Sequence, residues 1–103
     1  MTKQEFDQFE KMTYDILNKL KPLLKDYIQT WGPLDIRSVR NTMDAYVQSD
    51  TEIHLPEEFD DNLFNFITDD EFALWIEREG IGLAWERTGF DIYPPPKKDG
   101  NMI

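Results

Sequence analysis

The sequence predicts a mainly helical α+β domain: a long, kinked N-terminal helix, three further helices and a small C-terminal β-hairpin. Three observations carry that prediction. Apolar residues recur every three or four positions through most of residues 6–76, the period of an amphipathic helix. Two capping boxes, Thr2-Lys3-Gln4-Glu5 and Thr68-Asp69-Asp70-Glu71, mark helix starts. Beyond Gly80 the pattern changes to alternation, the period of a strand.

The first helix is expected to follow Thr2, with Phe6, Phe9, Ile16, Leu17, Leu20, Leu24, Ile28 and Trp31 on one face. Pro22 falls inside it and removes one backbone hydrogen bond. Leu20 and Leu24 keep the apolar phase across the proline, which favours one helix bent there over two. Gly32-Pro33 ends it, glycine as a left-handed cap and proline as a block to continuation. Asp35 is a suitable N-cap for a second helix to about Gln48, burying Ile36, Val39, Met43 and Tyr46 or Val47. Arg40 and Asp44 would form an outward i,i+4 pair.

Glu52-Ile53-His54-Leu55 alternates and reads as a short strand. Pro56 suits a helix start, with Glu57 and Glu58 in the first turn and Phe59, Leu63, Phe66 and Ile67 as the apolar face. The second capping box opens a further helix with Phe72, Trp75 and Ile76 inward, ended by Gly80. Residues 81–93 read as a hairpin around Thr88-Gly89, although Gly82–Thr88 also suits a short helix. Pro94-Pro95-Pro96 imposes a polyproline II stop. The expected organisation is one acidic domain over residues 1–93 and a loose proline-rich tail over 94–103.

From residue 35 the expected order is helix, short strand, helix, helix, hairpin. This order resembles a winged-helix domain carrying the first helix as an extension. The resemblance implies that the helix from Asp69 to Glu79 takes the DNA-reading position. That helix holds Asp69, Asp70, Glu71, Glu77 and Glu79 against Arg78 alone, whereas DNA binding needs lysine and arginine to neutralise phosphates. A domain of this kind is therefore expected to bind protein.

Charge is unevenly spread. The 103 residues carry a net charge of −10. Residues 49–93 hold thirteen acids against Arg78 and Arg87, a net of −11, together with eight of the fourteen aromatic rings. Carboxylates are thus expected on a packed aromatic body, not on a floppy tail.

Little in the chain points to chemistry. It has no cysteine, so disulfides, thiolate metal sites and thiol catalysis are excluded. His54 is the single histidine, and neither Ser38 nor Ser49 sits in a nucleophile elbow. Asp60 to Glu71 has the length of a calcium loop but places Phe64 at a ligand position and lacks the turn glycine. No phosphate-cradling glycine loop is present. The chain is expected not to be an enzyme and to need no cofactor or metal. No apolar run approaches the ~18–20 residues of a membrane span. The N-terminus lacks a signal-peptide apolar region, and a cytoplasmic location is the expectation.

The expected function is that of a small acidic protein-binding domain, an inhibitor that neutralises a basic, nucleic-acid-binding partner. In size and acidity the chain is similar to nuclease immunity proteins and to DNA-mimicking phage inhibitors, a likeness of composition that transfers no residues. The candidate partner-binding set is Glu57, Glu58, Asp60, Asp61, Asp69, Asp70, Glu71, Trp75, Glu77, Glu79 and Trp85. The alternative is an assembly module or homodimer working through the Phe6, Phe9, Ile16, Leu20 face of the first helix. Neither reading involves direct nucleic-acid or membrane contact.

Overall fold

Thr2 and Glu5 cap the first helix reciprocally. The Thr2 hydroxyl accepts the Glu5 N–H at 3.1 Å, and the Glu5 carboxylate accepts the Thr2 N–H at 3.0 Å. In the computed structural model, which describes residues 1–84 and 91–95, helix α1 runs unbroken over Lys3–Trp31. Pro22 lies on its exposed side. Ile16, Leu17, Leu20, Leu24 and Ile28 are buried, as the spacing requires. Trp31 is in phase with this stripe yet 67% exposed.

Gly32 ends α1 in extended geometry (φ −67°, ψ 158°), not as the expected left-handed cap. Its N–H still donates to the Ile28 carbonyl at 2.8 Å. Glycine is needed there for space: a Cβ would stand 2.5 Å from the Ile28 carbonyl oxygen and 2.8 Å from the Pro94 ring. The chain then forms a strand that the sequence did not announce, β1 (Leu34–Asp35), and enters α2 (Ile36–Ser49). Asp35 occupies the N-cap position of α2 without making the side-chain hydrogen bond. Ile36, Val39, Met43 and Val47 are buried, and Tyr46 is 40% exposed.

Two expected elements between α2 and the next helix are absent. Residues 52–55 alternate in burial but pair with no strand. Pro56 opens only a 3-10 turn over Glu57–Phe59. Asp60 and Asp61 then take left-handed φ values of 54° and 60°, which stop helical propagation. Side chains hold the backbone that follows: the Asp44 carboxylate accepts the Leu63 N–H at 2.8 Å, and Asn62 accepts the Phe64 N–H at 2.9 Å. Asn65 and Gln48 donate to the carbonyls of Phe59 and Asp61. Polar side chains here offer the backbone an alternative to the helix.

Helix α3 (Asp69–Arg78) begins at the second capping box, with both reciprocal bonds present. Its end is a Schellman motif. Gly80 has φ 71°, its N–H donates to Glu77, and the Ile81 N–H reaches back to Ile76 at 3.0 Å. Ile76 and Ile81 are both fully buried. Strands β2 (Leu83–Ala84) and β3 (Asp91–Tyr93) follow as an antiparallel pair. With β1 they form a three-stranded sheet ordered β1-β3-β2, in which Leu34 faces Ile92. The expected strand pairing is present and gains a third strand from the two residues before α2, while the expected Thr88-Gly89 turn, and most of the alternative helix over Gly82–Thr88, lie outside the described residues. The winged-helix resemblance relied on the strand at 52–55 and the helix after Pro56, and neither is among the observed elements.

One core joins α1, α2, α3 and the sheet, including Leu17, Leu24, Ile28, Val39, Met43, Phe72, Ile76 and Ile92. At the N-terminal end of α1 a second knot of rings forms. Phe59 lies 4.8 Å from Phe66 by ring centroid, and Phe9 packs on both. No helix among the described residues is long and apolar enough to cross a membrane.

Candidate protein-binding surface

The nine acids of the candidate set divide into two groups by what their carboxylates touch. Asp69 pairs with Arg40 of α2, so Arg40 crosses to α3 and does not make the expected pair with Asp44. Glu71 closes the capping box, accepting the Thr68 N–H at 2.8 Å. Glu77 accepts the Ala84 N–H at 3.1 Å and ties α3 to β2. Glu79 pairs with Lys21 of α1 at 2.5 Å, and this hydrogen bond holds its carboxyl below the ordinary value of 4.5. These four acids bind helix ends and neighbouring elements together.

The other group faces water. Glu57, Glu58, Asp60, Asp61 and Asp70 are exposed, and their carboxylates have no partner among the described residues. The first four stand on the turn that follows Pro56, on either side of the buried Phe59 in sequence. Asp70 stands in the first turn of α3, where the helix dipole favours a negative charge.

Trp75 is not on this surface. It is 2% exposed and stacks on Phe72 at 6.1 Å, with Tyr14 of α1 tilted against its other neighbourhood at 6.5 Å. Its position three residues after Phe72 is the core side of α3, which the spacing itself indicated. Trp85 lies outside the described residues. The apolar residues that do stand out on the second half are Leu74, 63% exposed, and Leu83, 43% exposed. Sequence reading passed over both. The available signal was that Leu74 sits on the side of α3 opposite Phe72, Trp75 and Ile76, one turn from Asp70.

On the first helix, Ile16 and Leu20 are spent in the core and Phe9 is half-buried in the ring cluster. Phe6 alone of that expected face is exposed, at 40%. An apolar groove of about 300 Å³ opens elsewhere, between α1 and α2, lined by Leu23, Tyr27, Thr42, Met43, Ala45, Tyr46 and Ser49. The Thr42 hydroxyl donates to the Tyr27 oxygen at 3.1 Å on its wall.

Where α1 meets α3, burial pushes the Glu10 carboxyl above its ordinary value, and the neighbouring Glu71 adds to the shift. Burial likewise raises the Tyr14 hydroxyl, with Glu71 and Glu10 contributing. His54 is exposed. Among the described residues no group of three or more histidine, aspartate or glutamate side chains is arranged to hold a metal ion. Comparison with protein-family models, with curated proteins and with solved structures finds no match for this chain.

Proposed function

We propose that this chain is a small acidic protein-binding domain that neutralises a basic, nucleic-acid-binding protein. One observation carries the reading: Glu57, Glu58, Asp60, Asp61 and Asp70 present free carboxylates on a buried aromatic frame that includes Phe59, Phe64, Phe66 and Phe72. Unpaired carboxylates steer a cationic partner, and the ordered backbone beneath them loses little freedom on contact. Support also comes from α3, where acids occupy positions that a DNA-reading helix fills with bases. Affinity capture from the source cells at low and high salt tests it. Wild-type chain is expected to retain basic nucleic-acid-binding proteins at low salt and release them at high salt. A variant with Glu57→Gln, Glu58→Gln, Asp60→Asn and Asp61→Asn is expected to retain none. Equal retention by that variant removes the reading.

A second reading, assembly through an apolar contact, is favoured by the groove between α1 and α2, whose lining carries no charged side chain. It predicts a self-associated or helix-bound form that survives high salt and is lost in Tyr46→Glu, measured by sedimentation.

A further inference from the structure

The outer face of α3 carries Asp70, Leu74, Glu77 and Arg78, all exposed, in a helix whose other face is buried. A helix rises 1.5 Å per residue, so Asp70 and Glu77 stand ~10 Å apart along the axis with Leu74 between them. The 3.6-residue turn puts both acids on one flank of Leu74 and Arg78 on the other. The acidic flank borders the sheet, because the Glu77 carboxylate holds the Ala84 N–H. That bond brings β2, with its exposed Leu83, beside the same face. The result is an exposed leucine, Leu74, with two carboxylates on one flank and β2 beside that flank.

From this arrangement we infer that the α3–β2 corner docks an amphipathic cationic helix of a partner protein. The inference rests on the reading of the chain as an acidic protein-binding domain and adds a second contact for the same partner, apart from the turn that carries Glu57, Glu58, Asp60 and Asp61. A helix with lysine or arginine at positions seven apart and a leucine between them reproduces the spacing of Asp70, Leu74 and Glu77 in opposite charge. Leu74 supplies the apolar contact that removes water from the centre of the patch. Arg78 repels a cation placed on its own side, so the partner helix lies toward the sheet and its register is fixed.

Amide chemical-shift mapping of the isotope-labelled chain against a synthetic leucine–lysine amphipathic helix tests the inference. A scrambled peptide of the same composition, which cannot gather its leucines on one face, is the control. At low salt the amphipathic helix is expected to shift residues 70–78 and 83–84, and the scrambled peptide is expected to bind about tenfold more weakly. Leu74→Ser, and separately Asp70→Asn, are each expected to weaken binding about tenfold. Leu74 is exposed, so its variant is expected to melt as the wild type does. Shifts centred on residues 57–61 or on the α1–α2 groove overturn the α3 site and leave the acidic-domain reading standing. Unchanged affinity of Leu74→Ser, or equal binding of the scrambled peptide, does the same. Absence of salt-sensitive binding by either peptide overturns both.

Discussion

The Arg40 guanidinium of α2 rests on the Asp69 carboxylate of α3 while standing 5.0 Å from the centre of the Phe64 ring. Asp69 and Arg40 are both about three-quarters covered, at 27% and 25% side-chain exposure. One side chain therefore joins the second helix, the first residue of the third and the loop between them. Arg40→Ala is expected to lower stability by about 1–2 kcal/mol, since it removes an ion pair, a ring contact and the aliphatic stem together. Arg40→Lys keeps the charge but loses the flat guanidinium and is expected to recover only part of that loss. Urea unfolding of the two variants measures the difference.

Lys21 and Glu79 link α1 to the end of α3, and their pH dependence has a definite sign. Hydrogen bonding to Lys21 lowers the folded-state pKa of Glu79 from the ordinary 4.5. The pair therefore contributes stability at pH above about 4.5 and loses it as pH falls through the depressed value. Glu79→Gln is expected to be less stable than wild type at pH 7, with the gap closing in acid. Thermal melts of both chains across that range check it.

Glu10 behaves in the opposite sense. Burial, and then repulsion from Glu71, raise its folded-state pKa above 4.5. The folded state therefore prefers the protonated acid: the favourable contribution is complete below pH 4.5 and is lost as pH rises through the raised value. Glu10→Gln keeps a neutral side chain at every pH, so it is expected to melt higher than wild type at pH 7 and at the same temperature in acid. A lower melting temperature at pH 7 would show that the Glu10 carboxylate has a favourable contact which outweighs these costs.

Helix α3 was readable from residues 68–80 alone, because its signals are local. Thr68 and Glu71 cap each other's backbone, and Gly80 supplies the left-handed turn at the other end. Thr68→Ala is expected to cost about 1 kcal/mol, and Gly80→Ala a similar amount from the left-handed backbone, both measured by chemical denaturation. The stretch after Pro56 was harder for a physical reason. Phe59, Leu63, Phe66 and Ile67 are all buried, as helical spacing predicted, yet the backbone between them is turned. Burial was legible in the spacing; the backbone path was set by Asp44, nineteen residues before the Leu63 N–H that it accepts, and by the polar side chains of Asn62 and Asn65. Strand β1 was hidden for the same cause. Two residues have no period, and only the arrival of Ile92 makes Leu34 a strand residue. At the surface, charge was legible as a sum, but which acids are free depends on long-range partners such as Lys21 and Arg40.

Asp60 and Asp61 allow charge and fold to be separated at the proposed surface. Both hold left-handed backbone, φ 54° and 60°, a region that asparagine and aspartate tolerate and alanine disfavours by about 1–2 kcal/mol per residue. Neither carboxylate has a partner among the described residues. Asp60→Asn with Asp61→Asn is therefore expected to leave the unfolding midpoint within the error of measurement while removing two negative charges. Asp60→Ala with Asp61→Ala removes the same charges and is expected to unfold at clearly lower urea. If binding to a cationic partner falls equally in both variants, electrostatics at these positions governs recognition and the turn's stability does not. If only the alanine variant loses binding, the turn acts by shape, and the role assigned to these two charges fails.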